Sequence, residues 1–228
     1  MSIVSLANKI SNISTLNIPN MLIKGYTSIP QIKREYEGKH TKEELKEGKK
    51  VKKLLEEKGV KFRTHSIPGE EHNTFASPPM NDITDIKNIW SGKKASRSAE
   101  TYAHEYGHIL NDQSMYDAFG KPGLHADDIV KSLGRVGSGV CTALSTLAAL
   151  TGFDSDTVRN IGLIGMASSA PVILEESLAS YRGNKFLKEN NIKHSPWNTW
   201  KGVPTYVIGC TLAPMIPWLG KKIYDSVQ

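Results

Sequence analysis

Cysteine is nearly absent, with only Cys141 and Cys210 in 228 residues. That excludes a disulfide-dense secreted scaffold and an all-cysteine metal cluster. Both lie in uncharged stretches, where a thiol behaves as a small buried hydrophobe. The first thirty residues hold no unbroken apolar run of signal-peptide length, so no cleaved leader is expected. Aromatic side chains are scarce in the most basic segment, residues 31–63, where Tyr36 and Phe62 are the only ones. Twelve basic residues there face seven acidic ones, interspersed. That pattern suits a solvated helix face better than a nucleic-acid arm, and no nucleic acid is expected as a partner. At 39% hydrophobic and 23% charged, the chain is neither a disordered tail nor a rod. Its length suits one domain, or one with a small appendage.

Charge is missing from much of the second part. Residues 1–133 carry 37 of the 52 charged side chains and residues 134–228 only 15. Three stretches have none: Val136 to Phe153, Asn160 to Leu174, and Gly202 to Gly220. The first and third approach the ~20 residues that span a bilayer. Yet the first is mostly Gly, Ser, Thr and Ala, and the third contains Pro204, Pro214 and Pro217. Small-residue helices pack closely in membranes, and buried helices of a soluble protein look the same. Both a membrane-associated and a cytoplasmic location stay open.

Ile3, Leu6, Ile10 and Ile13 follow helical spacing, giving an amphipathic N-terminal segment over residues 1–30. Residues 31–95 read as a basic helix and a small β element. Thr41 and Glu44 match a capping box, and the helix they open can run to Gly59, weakened by Gly48. Val60 to Thr64 and His72 to Ala76 read as strands, the second ending at Ser77-Pro78-Pro79. Residues 96–228 then form the remaining segment.

There His104, Glu105 and His108 form H-E-x-x-H. Positions four apart lie on one helix face, one turn apart. Two such imidazoles can share one Zn²⁺ at about 2.0–2.1 Å. Glu105 projects about 100° round, off the ligand stripe but within reach of a metal-bound water. From composition alone the pattern arises in roughly one per cent of such chains. Ala99, Tyr102, Ala103, Tyr106 and Leu110 place an apolar face away from the histidines. Ser96 or Ser98 can cap the helix.

Zinc needs a third protein ligand. His125 follows in a Gly-Leu-His-Ala-Asp loop, and Ser114 stands where a metzincin would place its histidine. The better source is Pro171-Val-Ile-Leu-Glu-Glu, opening a helix that can continue to about Glu189. Two adjacent acids in an apolar segment are costly unless compensated. Glu176 shares its face with Ala179, Ser180 and Gly183, small residues that permit close approach to the histidine helix. Glu175 shares its face with Arg182 and can pair with it. Glu176 is therefore preferred as the ligand. His40, His65 and His72 sit in polar surroundings and read as surface residues.

H-E-x-x-H with a distant helical glutamate resembles the gluzincin metallopeptidases, and more closely the YugP-type neutral zinc metallopeptidases, a bacterial membrane-associated family. Three blocks carry the resemblance: His104 to His108, Glu176-Ser-Leu-Ala-Ser180 with Arg182, and Thr205-Tyr-Val207. Asn73-Thr-Phe-Ala-Ser-Pro78 also resembles the strand before the histidine helix in CAAX prenyl proteases and HtpX-like peptidases. Those enzymes place an Asp four residues after the ligand glutamate, whereas this chain has Ser180, which leaves the orienting of a histidine to another group such as Asp112. The resemblance implies an α+β, predominantly helical fold with a gluzincin-like core. Apolar helices would lie between the motif helix and the ligand-glutamate helix. It also implies a zinc-dependent endopeptidase acting on protein or peptide substrates, with His104, His108 and Glu176 on Zn²⁺ and Glu105 as general base. Tyr206 and His194 are candidate transition-state stabilisers, and the Glu71–Phe75 strand is a candidate edge for an extended peptide. The alternative is an inactive membrane-associated or basic interaction protein with a coincidental motif.

Overall fold

Thr41 opens the first helix, α1 (Lys42–Glu57), and both arms of its capping box are made: the Glu44 N–H donates to the Thr41 hydroxyl and the Thr41 N–H to the Glu44 carboxylate. In this computed structural model the described residues are 40–67, 74–77, 81–88 and 97–227. The N-terminal amphipathic segment, Glu71, His72 and Ser96 lie outside them. α1 closes at Gly59, whose φ of +85° permits the Val60 N–H to reach back to the Leu55 carbonyl. Gly48 has a tertiary reason: a Cβ there would lie 2.1 Å from the Arg97 carbonyl oxygen.

Three strands follow, β1 (Lys61–Ile67), β2 (Thr74–Ser77) and β3 (Asp82–Asn88), in the order β1-β3-β2. β1 runs parallel to β3, and β2 antiparallel to it with Ala76 opposite Ile83. The sheet is fastened to the next helix by a buried polar knot. Asp85 accepts hydrogen bonds from the hydroxyls of Thr74 and Tyr102, each at 3.0 Å, and Arg97 donates to Thr74.

That helix, α2 (Ala99–Leu150), is capped by Ser98, whose hydroxyl accepts from the Thr101 N–H. Its direction breaks at Gly120, where φ is +64°, with Pro122 just beyond. His125, expected in a loop, is instead helical, because the break falls five residues earlier. α3 (Ser155–Ser168) begins at an Asp154 cap, and α4 (Ala170–Glu189) carries the glutamate pair. Short turns complete the chain: α5 (Pro196–Trp200), α6 (Val203–Tyr206), a π-helical stretch (Val207–Leu212), a 3₁₀ turn (Ala213–Met215) and α7 (Ile216–Ser226). The protein is thus α+β and predominantly helical, with one small sheet among the described residues.

The chain divides into two compact units, each gathered from separated stretches. One holds the described residues up to His125 together with Glu175–Gly202. Its core joins Val51, Leu55 and Ile83 to Ala103, Ile109 and Leu187, ordinary burial of apolar surface.

The other unit holds Ala126–Leu174 and the chain from Val203; it buries Val158 and Val172 together with serines and leaves much of its apolar surface exposed. Ser138, Ser145 and Ser169 are buried while Leu133, Val136, Val140, Leu144, Leu147 and Ile164 are exposed. Glycines line its contacts: a Cβ at Gly162 would lie 2.6 Å from the Pro214 carbonyl oxygen. The Ser138 hydroxyl donates to the Cys210 carbonyl at 2.8 Å. Three helical stretches, Ala99–Leu150, Ser155–Glu189 and Pro196–Ser226, are long and apolar enough to cross a membrane by length and composition.

Candidate metal centre

His104 and His108 project from one face of α2, their ring centroids 4.8 Å apart and nearly perpendicular. α4 crosses α2 closely enough to meet them because glycine and alanine line the crossing. A Cβ on Gly107 would lie 2.1 Å from the Ala179 carbonyl oxygen, and one on Gly183 would lie 2.5 Å from that of Ala103. This approach delivers the Glu176 carboxylate to the histidine pair.

The donor atoms form a tight triangle. His104 Nε2 and His108 Nε2 are 3.2 Å apart, and Glu176 Oε2 lies 3.4 Å from the first and 3.7 Å from the second. Four-coordinate zinc with arms of about 2.0–2.1 Å has tetrahedral edges of roughly 3.3 Å, so the three residues fit such an ion. His104, His108 and Glu176 could therefore hold a metal, with both rings mostly buried and Glu176 almost wholly so.

Each ring is also held from behind. The Ser180 hydroxyl donates its one proton to the Thr199 carbonyl at 2.8 Å, so towards His104 Nδ1, 3.1 Å away, it can only accept. His104 therefore carries its proton on Nδ1 and turns the Nε2 lone pair into the triangle. His108 Nδ1 makes a short hydrogen bond to Glu175 Oε1. The role expected of Asp112 is thus filled by Ser180 and Glu175. The pairing of Glu175 with Arg182 does not form. Arg182 instead donates to the Leu110 carbonyl and the Ser114 hydroxyl of α2, because Glu175 is drawn to the imidazole and to Asn111.

Glu105 is buried beside the histidines, and its Oε2 accepts the Ala76 N–H of β2 at 2.8 Å. Burial pushes its carboxyl above the usual carboxylate range, while the two imidazoles and the Ala76 N–H pull it back. At His108 burial opposes protonation, but the Glu175 hydrogen bond and the charges of Glu105, Glu175 and Glu176 outweigh it and raise its pKa to about 9. With Nδ1 committed to Glu175, the second proton sits on Nε2. A cation taking that position must displace it, so proton release accompanies metal uptake.

The two candidate stabilisers fare differently. His194 has both ring nitrogens engaged at 2.7 Å, by the Ile192 carbonyl and by Asn184 Oδ1, leaving none for a substrate. Tyr206 belongs to the other compact unit. His65 is exposed, in keeping with a surface residue. The site residues that sequence reasoning missed were Glu175 as a histidine partner, Asn111, and the backbone of Ala76. Ser180 had a visible signal, since it lies one turn from Glu176 on the same face. The chain matches no protein-family model, no curated protein and no solved structure.

Proposed function

We propose that the chain is a membrane-associated zinc-dependent peptidase of gluzincin type, resembling the YugP-type enzymes. In this reading His104, His108 and Glu176 are the metal ligands and Glu105 is the general base. The observation that carries it is the three-donor triangle with a buried carboxylate immediately alongside. Zinc bound there supplies Lewis acidity and lowers the pKa of a water ligand towards about 7.

The rest is work for the chain. Glu105 accepts the nucleophile's proton and passes it to the leaving amine. Its raised proton affinity suits that exchange, and the Ala76 N–H fixes Oε2, leaving Oε1 to receive the proton. Among the described residues β2 pairs on one side only, with β3. We assign its other edge to an extended peptide, with the Ala76 N–H kept for Glu105.

One zinc per chain is expected in protein purified without chelators, and none in Glu176→Ala, by elemental analysis. Hydrolysis of an unstructured protein substrate should cease when zinc is stripped and return when it is restored. Wild-type protein that neither retains zinc nor takes it up would overturn the proposal in favour of a non-catalytic chain.

The exposed apolar surface of the second unit supports the membrane location. Leu133, Val136, Val140, Leu144, Leu147 and Ile164 face outward while three serines are buried, an exterior that hydrocarbon favours and water does not. The uncharged stretch Val136 to Phe153 is 18 residues long, helical as far as Leu150, about 22 Å of helix against a hydrocarbon core of about 30 Å. Glu105 and His108 precede it. The protein is expected to stay in the membrane pellet through alkaline carbonate washing and to leave it only with detergent. Release by carbonate alone would remove the membrane-spanning assignment.

A further inference from the structure

Two successive carboxylates on α4 face opposite sides of one imidazole. We propose that Glu175 is a positioning residue of the metal centre: it holds His108 from behind through Nδ1, adds negative charge to the site, and is not itself a ligand. The proposal rests on the zinc reading above.

The ring geometry separates the two roles. His108 directs Nε2 to the triangle, 3.2 Å from His104 Nε2 and 3.7 Å from Glu176 Oε2. Nδ1, the other ring nitrogen, is taken by Glu175. An imidazole held at Nδ1 by a carboxylate is fixed in orientation and becomes a stronger donor at Nε2. Glu175 is fastened in turn. The Asn111 amide donates to its backbone carbonyl at 3.2 Å and its side chain at 3.4 Å. Asn111 stands three residues after His108 on α2, so one helix supplies both the imidazole and the group that steers its partner.

The two histidines are consequently backed unequally. Behind His104 stands the neutral Ser180 hydroxyl, tied to the Thr199 carbonyl. Behind His108 stands a buried carboxylate. Glu175 directly follows the uncharged run Asn160 to Leu174 and is buried, where an unpaired charge is costly. Its position behind His108 offsets that cost and places a third carboxylate, after Glu105 and Glu176, around a prospective dication.

The test is zinc affinity of the full-length protein in mild detergent, measured by competition with a chelating dye. Glu175→Gln is expected to weaken zinc binding roughly 10–100-fold with stoichiometry held at one, and Ser180→Ala less than tenfold. Glu175→Asp should recover part of the loss. Cobalt in place of zinc adds a spectroscopic readout: Glu175→Gln should keep the intense visible absorption of a four-coordinate site, and Glu176→Gln should lose it. If Glu175→Gln does not fold, Asn111→Ala, which keeps the carboxylate but unfastens it, is expected to weaken zinc several-fold. Unchanged affinity in whichever of these variants folds overturns the proposal. So does a Glu175→Gln protein that holds no zinc while Glu176→Gln holds one, since Glu175 is then the ligand. Wild-type protein that takes up no zinc removes the zinc reading and this proposal together. Wild-type binding with an indifferent Glu175→Gln removes only this one.

Discussion

Glu105→Gln is expected to slow peptide hydrolysis by roughly 10²–10⁴-fold, the range for losing a positioned general base, while zinc stays at one ion per chain. The amide is nearly isosteric and its oxygen can still accept the Ala76 N–H that now meets Oε2 at 2.8 Å. Local packing should therefore survive. What disappears is a carboxylate able to take a proton and return it. Glu105 is outside the donor triangle, so metal content should hold. Steady-state cleavage and elemental analysis on the same preparation separate the two effects. Undiminished turnover would remove Glu105 from the mechanism, and lost zinc would place it among the ligands.

Gly107→Ala should be the most damaging single-methyl change. The new Cβ would stand 2.1 Å from the Ala179 carbonyl oxygen and 2.7 Å from its carbonyl carbon and Cα. All three are backbone atoms, so no side chain can swing aside, and α2 and α4 must separate. Overpacking costs about 1–3 kcal/mol, and more where relief needs backbone movement. A loss of about 3 kcal/mol would lower Tm by roughly 6–12 °C in a chain of this size. Separation also draws Glu176 on α4 away from the histidines on α2, so zinc affinity should fall sharply. Gly139→Ala, with nothing within 4 Å of its Cβ, is the matched control. Equal Tm and zinc affinity for Gly107→Ala and wild type would show that the crossing has slack.

Much of this architecture was legible because it is local. Thr41 and Glu44 are three residues apart and their capping box formed; α4 runs from Ala170 to Glu189, close to the span that Pro171 suggested. The pairing of His104 with His108 is likewise a consequence of helical pitch. Glu176 was favoured for its small neighbours, and Ala179 and Gly183 indeed lie where α4 meets α2. What could not be read depends on contacts between distant segments. Glu175 was matched with Arg182 because both sit on one helix, whereas its partners come from α2, 64 and 67 residues away. The Ala76 N–H is invisible to any search for side-chain chemistry. Gly48 looked like a defect of α1 until the Arg97 backbone was placed against it. Ser180 looked like a departure from the prenyl-protease pattern, yet its hydroxyl still meets an imidazole.

The Ser138 hydroxyl on the Cys210 carbonyl fastens two stretches 72 residues apart with a neutral bond. Ser138 is buried, whereas Val136 and Val140, two positions to either side on the opposite face of the helix, are exposed. A survey of tolerated changes along this helix should therefore read as a stripe, with bulk admitted at the outward positions and only small polar side chains at 138.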